Sequence, residues 1–201
     1  MSMMKVDIKE VVERSLHKGV DFETVGESLK SLARRHMLRH FEGLKQALKL
    51  PSSMTFEEFR ERYHAEKDLR RRFADVRRNH VVAYIGEIAV HHALGRDWRL
   101  VFRFNNIRVY NMEDGFVDGK SYDVKTRHKN REGLSVESAK VHCDYYILCH
   151  LIGGFVHIIG FAEKDRLLQV KPRTDEYGKT VLCLEPRELQ SFDAFLRLFK
   201  R

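Results

Sequence analysis

The chain has 201 residues, 43% of them hydrophobic and 33% charged, enough to bury a sizeable core, which excludes a disordered or low-complexity chain. Its 37 Lys and Arg outnumber its 29 Asp and Glu, and the net charge of +8 suits an anionic partner, either nucleic acid or a membrane surface. There is no run of about 18 apolar residues, the start lacks an apolar signal core, and Cys143, Cys149 and Cys183 are odd in number without CxxC spacing, so a cytosolic protein with buried thiols is expected, with no zinc site, disulfide framework or membrane partner.

Residues 1 to 95 read as helices. Asp7 to Glu10 forms a capping-box-like start for a short helix ending before Gly19, and Thr24 to Glu27 starts a second. Val25, Leu29, Leu32, His36, Phe41, Leu44 and Leu48 then recur at helical spacing until Pro51. Thr55 to Glu58 begins another helix through Phe59, Tyr63 and Leu69, which runs into the most basic segment. From Lys67 to Arg78 that segment carries six basic residues, including Arg70, Arg71, Arg77 and Arg78, against Asp68 and Asp75. It reads either as a solvated helix face or as a row that holds phosphates.

Asn79 reads as the cap of a further helix, whose apolar residues from Val81 to Leu94 cover most of its circumference before Gly95. Glu87 sits among them, and a buried carboxylate needs a partner or a site. Trp98 to Phe104 alternates basic and apolar residues as a half-buried strand does, and Ile107 to Tyr110 continues the sheet.

The most informative stretch runs from Asp114 to Thr126. Asp118-Gly119, between Phe116-Val117 and Tyr122-Asp123-Val124, predicts a tight hairpin, since both residues tolerate the positive φ of a type I′ turn. Alternation along the second strand puts Asp123 and Lys125 on one face and Tyr122, Val124 and Thr126 on the other. The hairpin returns Asp114 to their neighbourhood, giving two carboxylates and a lysine in a small volume, a set that suits a hard divalent cation.

Asp114 followed by Asp123-Val124-Lys125 at a hairpin resembles the PD-(D/E)XK motif of the restriction-endonuclease-like nuclease superfamily, and Glu87 matches its usual helix carboxylate. The resemblance covers about residues 80 to 165. Glu113 stands where that motif has proline, the triplet acid is Asp, and Asp118 rivals Asp114 for the first position. The resemblance implies an α/β fold with a restriction-endonuclease-like core, a mixed sheet flanked by helices. It further implies Mg2+ or Mn2+ held by Glu87, Asp114 and Asp123, Lys125 as the fourth catalytic residue, and hydrolysis of phosphodiester bonds in DNA. Holliday-junction resolvases, viral recombination nucleases and inactive relatives share the superfamily.

Past the motif, Arg127 and Lys129 belong to a basic loop, Thr126 to Arg131, that would lie beside bound DNA. Ser135 to His142 reads as a helix, Asp144 to Cys149 as a buried strand, and Phe155 to Phe161 as its hairpin partner. Thr180 to Leu184 reads as a strand and Pro186 as the first turn of a last helix. Leu189, Phe192, Phe195, Leu196 and Phe199 form an apolar stripe on that helix, which is core packing or, if exposed, the seam of a homodimer. The expected organisation is a helical region over 1–78 and a nuclease-like core over 79–201. The expected function is a stand-alone, Mg2+-dependent DNA endonuclease of the cytoplasm, with structure-specific cutting in view. A nucleic-acid-binding module that no longer cuts, and a helical protein-interaction protein, are the alternatives.

Overall fold

The computed structural model describes residues 3–14, 22–102, 113–128, 133–175 and 178–199. The fold is mixed α/β and its contacts divide into two compact units, one formed by residues 18–81 and the other by residues 1–17 with 82–201. The N-terminal residues thus join the sheet-bearing unit, whereas the sequence groups them with the helices.

In the 18–81 unit, α2 (Phe22–Arg39), α3 (Phe41–Ala47), α4 (Phe56–Ala65) and the first part of α5 (Lys67–Ala93) enclose a core that includes Met37, Leu44, Leu48, Phe59, Leu69 and Phe73. The helical run from Val25 to Leu48 is broken at His40, whose φ of −105° and ψ of 53° leave the helical region. The start of α4 is as expected: Thr55 Oγ1 accepts from the Glu58 amide at 3.2 Å, and Glu58 accepts from the Thr55 amide at 2.7 Å. Two expectations need correction. The helix begun at Thr55 stops at Ala65 instead of running into the basic segment, and Asn79 caps nothing, because α5 continues through it for 27 residues.

In the other unit, five strands run in the order β1 (Met4–Asp7), β6 (Phe155–Glu163), β5 (Tyr145–Ile152), β3 (Lys120–Arg127), β2 (Gly115–Val117). The β3–β5 pair is parallel and its neighbours are antiparallel. A second sheet pairs β4 (Leu134–Glu137), β8 (Thr180–Leu184) and β7 (Arg173–Thr174). Met4–Asp7 is a strand where a helical region is expected; α1 (Ile8–Arg14) follows it, with Asp7 Oδ1 accepting from the Glu10 amide at 3.1 Å.

Three further corrections concern local structure. Ser135 belongs to β4, and Ser138–Lys140 forms a 3-10 turn in place of the expected helix, because Ser135 and Val136 pair with Cys183 and Leu182 on a strand far along the chain. Trp98 to Phe102 form turns and a helical start, with the Leu100, Val101 and Phe102 amides bonded three residues back, so they are no strand. The remainder of the two strands expected there, from residue 103 to residue 110, lies outside the described residues. Pro186–Glu188 is an isolated 3-10 turn, and the last helix, after α6 (Lys164–Leu168), is α7 (Phe192–Phe199). Its stripe is core packing: Phe192 and Phe195 are buried, with the Phe195 ring 5.1 Å from Phe161 and 5.3 Å from Tyr145. Cys143 and Cys149 are buried as expected, while Cys183 is half-buried. Among the described residues no helix is long and apolar enough to cross a membrane.

Candidate active site

The hairpin forms as its turn residues dictate, with φ of 48° at Asp118 and 77° at Gly119, and β2 and β3 pair from Val117–Lys120 to Gly115–Tyr122. Period-2 alternation then puts Asp123 and Lys125 on one face, where Lys125 Nζ lies 2.6 Å from Asp123 Oδ2. Asp123 is buried, while Lys125 keeps partial exposure. Asp114 extends the hairpin by two bonds: its amide donates to the Tyr122 carbonyl at 2.9 Å, and its Oδ2 accepts from the Val124 amide at 2.6 Å. The first carboxylate is therefore anchored to the residue between the other two motif positions.

On the opposite face, α5 lies close against β3. A Cβ on Gly86 would stand 1.8 Å from Thr126 Oγ1, so only glycine permits this approach, and Glu87 follows it directly, 4% exposed. His91, one turn further, is fully buried with Nδ1 3.1 Å from the Tyr122 hydroxyl, and burial, then Arg96, lowers its pKa to about 4. It is a neutral core group tied to the face away from Asp123.

Electrostatics couple Asp114 to Glu87, Asp123 and Lys125. Burial first, then the charges of Glu87 and Asp123, raise the Asp114 carboxyl well above the ordinary carboxylate range, against the opposing pull of Lys125 and the Val124 amide. Burial works against the charge on Lys125, but the Asp123 and Asp114 carboxylates outweigh it and raise its pKa. Lys125 is therefore a cation near neutrality. Asp114 interacts with Glu87, Asp123 and Lys125, and Lys125 with Asp123, while among the described residues no group of three or more His, Cys, Asp or Glu is gathered closely enough to hold a metal ion.

Asp118 stays in the exposed turn, apart from these residues, at a cleft with Arg96 and Leu196. Arg127 shares the face of Asp123 and Lys125 and donates to the Ser135 carbonyl at 3.3 Å. Lys129 lies outside the described residues. On α5, Arg70 donates to the Tyr63 and His64 carbonyls at the end of α4, Arg71 pairs with Asp68 at 2.7 Å and Arg78 with Asp75 at 3.7 Å.

Sequence reading misses two neighbours of the site. Cys143 has its thiol pushed up to about 12 by burial and then by Asp123, and Tyr146, also pushed up to about 12 chiefly by burial, accepts from the His142 and Cys143 amides at 2.7 and 3.0 Å. Only the pairing of β5 beside β3 brings them there. The same pairing is locked by a reciprocal clamp in which Asp144 Oδ2 accepts from the Ser121 amide at 2.8 Å while Ser121 Oγ accepts from the Asp144 amide at 3.0 Å. No protein-family model, curated protein or solved structure matches the chain.

Proposed function

We propose that the chain is a metal-dependent DNA endonuclease of the cytoplasm whose sheet-bearing unit is a restriction-endonuclease-like core. The observation that carries this reading is the 2.6 Å Asp123–Lys125 pair on one strand face, with Asp114 bonded to the amide between them. Glu87, Asp114 and Asp123 offer only hard oxygen donors, which suit Mg2+ or Mn2+. Burial, then repulsion from Glu87 and Asp123, lifts Asp114, and a divalent cation would relieve the repulsion, so the donor types suit such an ion although the carboxyls are not gathered around one point. Those three residues would hold the ion, which supplies Lewis acidity and a more acidic water.

The chain's own groups have defined parts in this reading. Lys125, held cationic and aimed by Asp123, offsets charge growing on the phosphate oxygens and positions a water by hydrogen bonding, rather than abstracting a proton. Asp114 is fixed by the Val124 amide, and the Gly86 contact holds the helix that carries Glu87. The protonated Cys143 thiol offers no competing nucleophile. The basic surface of the chain, at +8 overall, supplies attraction to DNA.

The test is incubation of labelled duplex and branched DNA with the protein in Mg2+ and in EDTA. Cutting in Mg2+ alone supports the reading, and no cutting of either DNA contradicts it. A second reading, a nucleic-acid-binding module that does not cut, is favoured by the carboxyls not being gathered for a metal. It predicts DNA binding with no heat of Mg2+ uptake in a calorimetric titration.

A further inference from the structure

We infer that the aromatic cleft between α2, α4 and α5 of the 18–81 unit binds an unstacked base of single-stranded DNA, with Arg34 and Arg60 taking the flanking phosphates. This rests on the DNA reading of the chain and adds to it a preference for DNA with unpaired nucleotides.

The cleft, about 120 Å³, is walled by Phe56, Phe59, Tyr63 and Phe73 and edged by Arg34 and Arg60. Its size is that of one flat ring, not of a second helix. The rings are set before any ligand arrives: Phe56 stands edge-on to Phe41 at 5.4 Å, and Tyr63 edge-on to Phe73 at 5.1 Å. Phe59 and Phe73 are 3% and 2% exposed, but Phe56 leaves 40% of its surface to solvent in a cleft that Arg34 and Arg60 also line. Exposed aromatic faces are the platforms on which bases stack, whatever the base, and arginines beside them add phosphate contact and cation–π attraction.

Two cations at the edge of the cleft suit an anionic occupant. Arg62, Arg71, Arg72 and Arg78 all pair with carboxylates three or four residues away in the chain. Among the described residues Arg34 and Arg60, like Arg35, Arg39, Arg70 and Arg77, make no ion pair with a carboxylate, and of these six Arg34 and Arg60 border the cleft. A planar apolar ring flanked by anions matches this arrangement, and a nucleotide within a strand has that form. An acidic peptide bearing an aromatic side chain is the competing occupant.

The experiment measures fluorescence anisotropy of the full chain with labelled dT12, with an abasic strand of equal phosphate number, and with an acidic peptide containing one Phe, all in EDTA so that cutting plays no part. Expected is dT12 binding about tenfold tighter than the abasic strand, the effect of roughly one stacked base. Phe56→Leu keeps the apolar volume but removes the ring, and it should bring that ratio close to one. Tyr63→Leu should lower it as well, with helicity and melting confirming folded variants. Arg60→Gln should weaken both strands and reduce the log–log salt slope by about 0.7.

Equal affinity for dT12 and the abasic strand overturns the inference, as does a ratio unaltered in both ring variants, or tighter binding of the peptide than of dT12. Failure of the nuclease reading is separate. Base-dependent binding by a protein that cuts nothing in Mg2+ removes the endonuclease and leaves the cleft, while cutting without base dependence removes the cleft alone.

Discussion

Asp114 Oδ2 accepts a 2.6 Å hydrogen bond from the amide of Val124, the residue between Asp123 and Lys125. That bond fixes a carboxyl whose ionisation burial, Glu87 and Asp123 all oppose. The folded protein therefore holds a proton that the unfolded chain releases near pH 4, and stability falls as pH rises from there through the raised folded value.

Asp114→Asn keeps an acceptor for Val124 and removes the repulsion. The variant should be more stable than the wild type at pH 7, with a higher melting temperature, and the gap should close towards pH 4. It should also lose cleavage. Asp118→Asn, in the positive-φ turn that Asn tolerates, should change neither property. Melting curves across pH with a cleavage assay check both, and a variant less stable at every pH contradicts the electrostatic account.

Gly86→Ala drives a methyl to 1.8 Å from Thr126 Oγ1 and must push α5 off β3, moving Glu87 with it. A loss of about 1–3 kcal/mol is expected, in the range of overpacked cores. The Thr126 hydroxyl is buried without a hydrogen-bond partner, so Thr126→Ala should cost little alone and recover part of the loss in the double variant. A double-mutant cycle in urea reads this coupling, and strictly additive losses would place the strain elsewhere.

What was legible in the sequence follows the range of the forces involved. Asp118-Gly119, the Thr55–Glu58 box and the Asp7 cap act within a few residues, and all three are present. The shared face of Asp123 and Lys125 follows from strand period alone. Met4–Asp7 and Leu134–Glu137 are four-residue strands made by distant partners, Val156–Ile158 with its neighbours and Thr180–Leu184, so their local pattern carries little signal. At the site, the Asp114–Val124 bond and the nearness of Cys143 and Tyr146 depend on how far the hairpin reaches and which strand lies beside β3, neither of which periodicity encodes.

The 18–81 unit should be acid-sensitive. The His36 ring stands 4.8 Å from His40 and 5.0 Å from His80, and burial, then His80, His40 and Arg39, lower its pKa to about 4. A histidine neutral when folded and charged when unfolded contributes stability above about pH 6.5 that is lost as pH falls towards 4. The loss should be on the order of 1–2 kcal/mol after allowing for partial exposure. His36→Gln should flatten the dependence between pH 7 and 4.5, and an unchanged slope contradicts it.

The arginine row should divide its duties. Arg70 is committed to two carbonyls at the end of α4, so Arg70→Ala should cost about 1 kcal/mol of stability with little effect on DNA affinity. Arg77 and Arg78 should each lower the log–log salt slope by roughly 0.9 on duplex DNA when replaced by Ala, because the exposed Arg78–Asp75 contact at 3.7 Å is weak. Affinities across a salt series in EDTA decide it, and parallel slopes for wild type and variants would mark the row as a solvated face.

The central claim, that Asp123 and Lys125 form the working pair of a metal-dependent nuclease, is met most directly by single-turnover cleavage of labelled DNA in Mg2+. The wild type should be compared with Asp123→Asn and Lys125→Met, each confirmed as folded by melting. The account predicts cutting by the wild type and a loss of about a hundredfold or more in both variants, the scale of a removed transition-state contact. Cutting at the wild-type rate by either folded variant contradicts it.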